Sequence, residues 1–156
     1  MGRILVAIDP GQSGAIVWSK DGEPEITADK MPPSDVEVCQ YIADLSLKAK
    51  DVELYLEEPS LTGYGPGIPG YSIARLAQNF GMIYGAAVAM GWSIHRVNPQ
   101  AWQAAHSLGK KKDHGKKWKT HLKSRALELY GSRIDVTLAN ADALLLYHAA
   151  VRGAVN

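Results

Sequence analysis

A chain of 156 residues is long enough to form one domain that buries roughly two-thirds of its unfolded surface. With 46% hydrophobic and 21% charged residues it is not a disordered chain, and its single Cys39 excludes a disulfide framework or a cysteine-based zinc site while fitting a reducing cytoplasm. The formal net charge of +1 conceals an asymmetry: residues 106–125 hold seven lysines and Arg125 against Asp113 alone, whereas the remainder carries nine basic and fifteen acidic residues. A basic patch on an acidic body suits a polyanionic partner; the bland alternative is a solvated lysine-rich loop.

In chain order, "RILVAID" (3–9) and "GAIVWS" (14–19) read as strands joined by a glycine-rich turn. The apolar run before Asp9 is too short for a signal peptide, and no stretch approaches a membrane span. After the turn signal Asp21-Gly22, "PEITADKM" (24–31) reads as a third strand of an antiparallel meander. "SDVEVCQYIADLSLKAK" (34–50) spaces Val36, Val38, Ile42, Leu45 and Leu47 as a helix, with Ser34 and Glu37 placed as a capping box. "VELYLEEP" (52–59) alternates Val52, Leu54 and Leu56 and stops at a proline, as a strand does. The Gly- and Pro-rich residues 60–71 form a loop. "SIARLAQNFGMIYGAAVAMG" (72–91) is a helix rich in small residues, suited to close packing on a sheet or on a partner subunit.

"WSIHRV" (92–97) is a fifth strand ended by Asn98-Pro99, and "PQAWQAAHSL" a short helix with proline near its start. "KKWKTHLKSRALELYG" is a helix that stops at Gly131, and "NADALLLYHAAVRGAVN" is an apolar helix for which Asn140 is the expected cap. Three meandering strands followed by strands with helical crossovers predict a mixed α/β sheet in one domain, 1–156.

Three acids fall at element ends: Asp9 after the first strand, Glu57 (with Glu58) after the fourth, and Asp142 in the first turn of the closing helix. If strands one and four are parallel neighbours, Asp9 and Glu57 lie roughly 5 Å apart. Like charges at that distance are costly unless a cation sits between them, and hard cations such as Mg²⁺ take carboxylate oxygens. Singly, each acid has an ordinary reading: an Asp-Pro-Gly turn, a solvated strand end, a complement to the helix dipole. No Ser-His-Asp signature, phosphate-binding loop or dinucleotide fingerprint occurs, and the histidines lack metal-ligand spacing.

The segments "AIDPGQSGA", "LYLEEP" and "ADALLLYHA", in this order and at this chain length, resemble the RuvC-type Holliday-junction resolvases of the ribonuclease H-like superfamily. The resemblance covers about residues 3–152. It implies a mixed five-stranded sheet, three antiparallel strands then two parallel, flanked by helices. It also implies a metal-dependent endodeoxyribonuclease that resolves four-way junctions by symmetric paired nicking, acting as a homodimer without a nucleotide cofactor or a membrane. Asp9, Glu57 and Asp142 match the acids that hold two Mg²⁺ ions (Mn²⁺ as a substitute), with Asp9 bridging and Glu58 in reserve. Such a pair of ions acts on the attacking water and on the leaving 3′ oxygen.

The family pattern departs at Ala139, where an Asp or His is usual. Asn140 could supply an oxygen to the metal there, or merely cap its helix; Asp135 is further away. Lys117, preferred on family position over Lys116 and Lys119, would stabilise charge at the scissile phosphate. Lys110, Lys111, Lys112, Lys116, Lys117, Lys119, Lys123 and Arg125 would neutralise backbone phosphates. Tyr64, in the loop after the catalytic strand, would stack on bases at the junction centre, or the loop is plain surface. Trp118 would stack on DNA or anchor its helix. Gly11 and Gly14 would leave room for DNA backbone beside Asp9, and helix 72–91 would form the dimer interface or be buried within the monomer. A DNA-associated cytoplasmic protein of bacterial or bacteriophage origin fits this reading. Its rivals are a nuclease acting on other branched DNA and a catalytically weakened junction-binding protein, to which Ala139 lends some support.

Overall fold

The computed structural model describes residues 2–21, 24–60 and 67–156. Five strands, β1 (Arg3–Asp9), β2 (Ala15–Lys20), β3 (Ile26–Lys30), β4 (Asp51–Glu57) and β5 (Ser93–Val97), form one sheet in the order β3-β2-β1-β4-β5. β1–β2 and β2–β3 are antiparallel, and β1–β4 and β4–β5 are parallel. This is the mixed sheet expected from the sequence.

β1 reads as a continuous apolar run because it is central and covered on both faces. Alternation along it sends Leu5 and Ala7 into one core and Ile4, Val6 and Ile8 into the other. The second core is closed by α1 (Asp35–Lys48) through Val38, Ile42 and Leu45, and by α2 (Gly70–Ala89) through Ile83 and Ala87. Ser34 caps α1 by accepting from the Glu37 N–H, and its hydroxyl donates to Glu37 Oε2. Val36 and Leu47, assigned to the apolar face from sequence, are 78% and 82% exposed. The line Val38–Ile42–Leu45 sets the buried face, and both lie off it at 100° per residue.

The first core is covered by α3 (Pro99–Ala105), α5 (Trp118–Tyr130) and α6 (Ala141–Val151). A one-turn helix α4 (Lys111–His114) and a tight helical turn (Gly115–Lys117) carry the chain into α5. Nearly every side chain of α6 is buried, which explains a sequence apolar all round. By contrast α2 buries only Ile83 and Ala87 and leaves Tyr71, Tyr84 and Val88 exposed, as is Met90 just past its end. Among the described residues, no helix is long and apolar enough to cross a membrane.

Candidate active site

The register of β1 against β4 ends with Ile8 opposite Leu56, so Asp9 and Glu57 are the next positions on adjacent parallel strands, roughly 5 Å apart. With Leu5, Ala7 and Tyr55 facing the first core, period two turns Asp9 and Glu57 to the same face, beneath α5 and α6. Glu58 points the other way and accepts from Arg96 at 2.5 Å in an exposed ion pair. The fully buried Trp102 of α3 donates its Nε1–H to Glu57 Oε2 at 2.6 Å. This partner of the strand-end acid had no signal in the sequence beyond an aromatic residue on a short helix.

Asp142, buried in the first turn of α6, forms an ion pair through Oδ2 with Lys119 Nζ. Its Oδ1 is buried without a hydrogen-bond partner. A buried carboxylate oxygen left unpaired is costly, and it fits the oxygen donor set of a hard divalent cation.

Asn140 takes a role that corrects the sequence reading. Its side chain makes no cap bond to α6. Instead Oδ1 accepts from the Thr137 N–H at 2.8 Å, Nδ2 donates to the Asp135 carbonyl at 2.9 Å, and the Asn140 N–H donates to Thr137 Oγ1 at 3.2 Å. Thr137 and Asn140 thus make a reciprocal capping box one turn before α6. With its amide oxygen engaged there, Asn140 secures the helix entry that carries Asp142. Lys117, the lysine preferred from sequence, sits exposed in the tight turn before α5, while Lys119 is the lysine that reaches Asp142. Within α5 the line Trp118–Leu122–Ala126–Tyr130 is buried, which leaves Lys119 beside that line over the strand ends.

The electrostatics tie the group together. Burial first, then the charges of Glu57 and Asp142, hold the Asp9 carboxyl well above the usual carboxylate range, with Lys119 acting in the opposite sense. Burial pushes Glu57 up to about 7; the Trp102 hydrogen bond opposes this, Asp142 adds to it and Lys119 relieves it. Burial would lower Lys119, but Asp142, Asp9 and Glu57 together hold its pKa above the ordinary lysine value. Three carboxylates therefore share one field with one cation. Among the described residues no three acid, imidazole or thiol side chains are grouped to hold an ion as they stand, and Lys119 and Trp102 occupy oxygens of two of the acids. The chemistry of the donor set and the unpaired Asp142 Oδ1 nonetheless fit a divalent cation.

Trp102→Phe keeps an aromatic ring in place and removes the donor. Glu57 is then expected to titrate higher than about 7, moving the acid limb of any pH–rate profile to higher pH. An unmoved limb would show that the indole N–H does not tune this carboxyl.

Glu57, Asp142 and Lys119 line a cleft of about 710 Å³. Lys110 and Lys111 stand on its wall, and Ser60 and Ile68 reach it from either side of the segment containing Tyr64, which lies outside the described residues. Lys112 and Lys116 are exposed outside the cleft lining, Lys123 is half-buried on α5, and Arg125 pairs with Glu128 at 2.7 Å and lines a different pocket. Trp118 is buried as a core anchor of α5.

The glycines after Asp9 answer to the chain's own turn. Gly11 adopts φ +102° and donates its N–H to Asn79 Oδ1 of α2 at 2.7 Å. A Cβ on Gly14 would sit 1.9 Å from the Asp9 carbonyl oxygen. The space at Gly14 is thus filled by protein backbone, where the sequence reading expected room for DNA.

No protein-family model matches the sequence, and no curated protein sequence matches it. Solved structures do match. A Thermus thermophilus RuvC structure is 19% identical with a TM-score of 0.52, and T. thermophilus RuvC in complex with a Holliday junction substrate is 16% identical with a TM-score of 0.59. Each alignment covers 98% of this chain and 98% of the other. The chain has a RuvC-type, ribonuclease H-like fold, and its acids cluster at the ends of β1 and β4 and the start of α6.

Proposed function

We propose that this protein is a metal-dependent endodeoxyribonuclease that resolves four-way DNA junctions by symmetric paired nicking. The observation that carries the reading is the convergence of Glu57, Asp142 and Lys119 in a lysine-walled cleft of a RuvC-type fold, with Asp9 on the strand next to Glu57 and in the same electrostatic field. Asp9, Glu57 and Asp142 would hold two Mg²⁺ ions, or Mn²⁺ in their place. When bound, such ions lower the pKa of an attacking water and offset charge on the leaving 3′ oxygen.

The chain's own residues supply the rest. Asp9 and Glu57, whose carboxyls burial and neighbouring acids hold above the ordinary carboxylate range, would have to be deprotonated to hold the ions. Trp102 fixes one oxygen of Glu57 and so orients the other. Lys119, freed from Asp142, faces the scissile phosphate and offsets its charge. Lys110 and Lys111 neutralise flanking phosphates along the cleft. Two matching cuts require two sites related by a two-fold axis, and the exposed Tyr84 and Val88, one turn apart on α2, offer an apolar patch for a homodimer.

The test is a denaturing-gel assay on a labelled four-way junction in Mg²⁺, Mn²⁺ or EDTA, with duplex and flap DNA alongside. Lys119→Met is expected to slow cleavage by about 10²–10³-fold at saturating enzyme. Lys117→Met is expected to leave that rate within a few-fold and to weaken binding only. A junction that is bound but uncut in both metals would favour a junction-binding protein and sink the nuclease reading. Equal loss in both lysine variants would refute the special role of Lys119.

A further inference from the structure

A second pocket, of about 530 Å³, lies between the middle of α5 and the end of α6, outside the acidic cleft. The two helices run side by side in the same direction. Lys119 meets Asp142 at their starts, and six residues further along each, Arg125 and His148 share the second pocket. The helical rise puts that pocket about 9 Å beyond the acids. His106 and Ser107 close it from the end of α3, and Arg152 from the end of α6.

No acidic side chain is among the described residues that line this pocket. Glu128 takes one guanidinium nitrogen of Arg125 from outside, but Arg125 Nε is buried with no hydrogen-bond partner. Arg152 makes no ion pair among the described residues. A buried guanidinium N–H left unpaired is unfavourable, and its forked geometry matches phosphate oxygens. Ser107 holds φ +54°, a left-handed conformation that non-glycine residues seldom adopt, on the same wall.

The imidazoles report the same excess of positive charge. Burial lowers the pKa of His106, with Arg125 and Arg152 adding to it against the hydrogen bond to the Leu145 carbonyl. Burial likewise lowers His148, followed by His106, Arg152 and Arg125. A cavity with two arginines, two suppressed imidazoles and no lining acid lacks a counter-charge.

We propose that this pocket binds a phosphate group through Arg125 and Arg152, with Ser107, His106 and His148 completing the site. This goes beyond the cleavage reading, because it requires neither the acids nor a metal. The phosphate could belong to a DNA strand leaving the cleft or to a free phosphate or mononucleotide; the recognising chemistry is shared.

The experiment has two arms, both in EDTA so that no DNA is cut and catalytic failure has no bearing on the outcome. In the first, the Arg125 Nε–H and Ser107 amide signals are followed by NMR as inorganic phosphate is added to wild-type and Arg152→Gln protein. A saturable shift is expected, with affinity about tenfold weaker in the variant, as for loss of one charge-assisted contact. Arg152 is exposed at a helix end, so an unchanged melting temperature is expected to certify the fold. In the second arm, junction binding is measured against salt. A slope shallower by about 0.9 in Arg152→Gln identifies a DNA phosphate as the occupant. An unchanged slope with the phosphate shift intact identifies a free phosphate. No saturable shift together with an unchanged slope overturns the proposal, as does an equal phosphate shift in the variant.

Discussion

Asp9→Asn is expected to abolish cleavage in Mg²⁺ and, in EDTA, to make the folded protein more stable at alkaline pH. Asp9 and Glu57 have folded-state pKa values raised above their unfolded ones, Glu57 to about 7. Between those values the native state binds more protons than the unfolded state, so stability falls as pH rises through the window. For Glu57 that window runs from the ordinary value of 4.5 to about 7.

The melting temperature of the wild-type protein in EDTA is therefore expected to decline from about pH 5 to pH 8. The Asp9→Asn change removes one of the mutually repelling carboxyls, so the variant is expected to decline less and to lie several degrees higher at the alkaline end. This corresponds to roughly 1–2 kcal/mol in a protein of this size. Cleavage is expected to drop on the order of 10³-fold or more, since one of the three acids proposed to hold the metal ions would be gone. Divalent cations are expected to stabilise wild type more than the variant. A melting temperature flat with pH in wild type, and unmoved by the Asp9→Asn change, would mean that these acids do not share one field.

The second large effect is steric. At Gly14 a Cβ would sit 1.9 Å from the Asp9 carbonyl oxygen, 2.9 Å from its carbon and 3.0 Å from the Pro10 oxygen. All three obstacles are backbone, so no side-chain rotation relieves them. The turn itself must open, and it is pinned by Gly14 N–H to the Gly11 carbonyl at 3.0 Å, by Met31 N–H to the Gly14 carbonyl at 3.0 Å and by Gly11 N–H to Asn79. Gly14→Ala is expected to destabilise the fold by about 3 kcal/mol. That lowers the melting temperature by roughly 6–12 °C.

The same change displaces Asp9, so residual cleavage is expected to fall beyond what the loss of folded protein explains. Gly85→Ala is the internal control: nothing lies within 4 Å of its added Cβ, and it sits inside α2. It is expected to raise the melting temperature slightly, by helix propensity of up to about 1 kcal/mol. Equal behaviour of the two alanines would show that the Gly14 turn tolerates the clash.

The sequence by itself determined the parts that near neighbours encode. Alternation and breakers located all five strands, Ser34 and Glu37 marked the start of α1, and Gly131 marked the end of α5. The choice of Glu57 over Glu58 also followed from local alternation, because adjacent residues of a strand face opposite ways. That Asp9 and Glu57 lie side by side was foreseeable once β1 and β4 were taken as parallel neighbours, whereas the grouping of Asp142 with them came from the family resemblance.

Tertiary structure alone decided what depends on packing between distant segments. Trp102 reaches Glu57 across 45 residues, and nothing local to either announces the bond. Lys119, and not Lys117, reaches Asp142 because α5 begins at Trp118 and its buried line fixes the rotation of the helix against the sheet. Asn140 was legible as a residue beside a helix start, but its amide belongs to the turn from Asp135 to Thr137. Arg125 reads as one more cation of a basic run, yet the parallel packing of α5 on α6 separates it from the cleft and gives it a pocket shared with Arg152. Periodicity and caps are set by interactions within a few residues; which side chains meet at a site is set by how whole elements pack, and a single sequence constrains that only weakly.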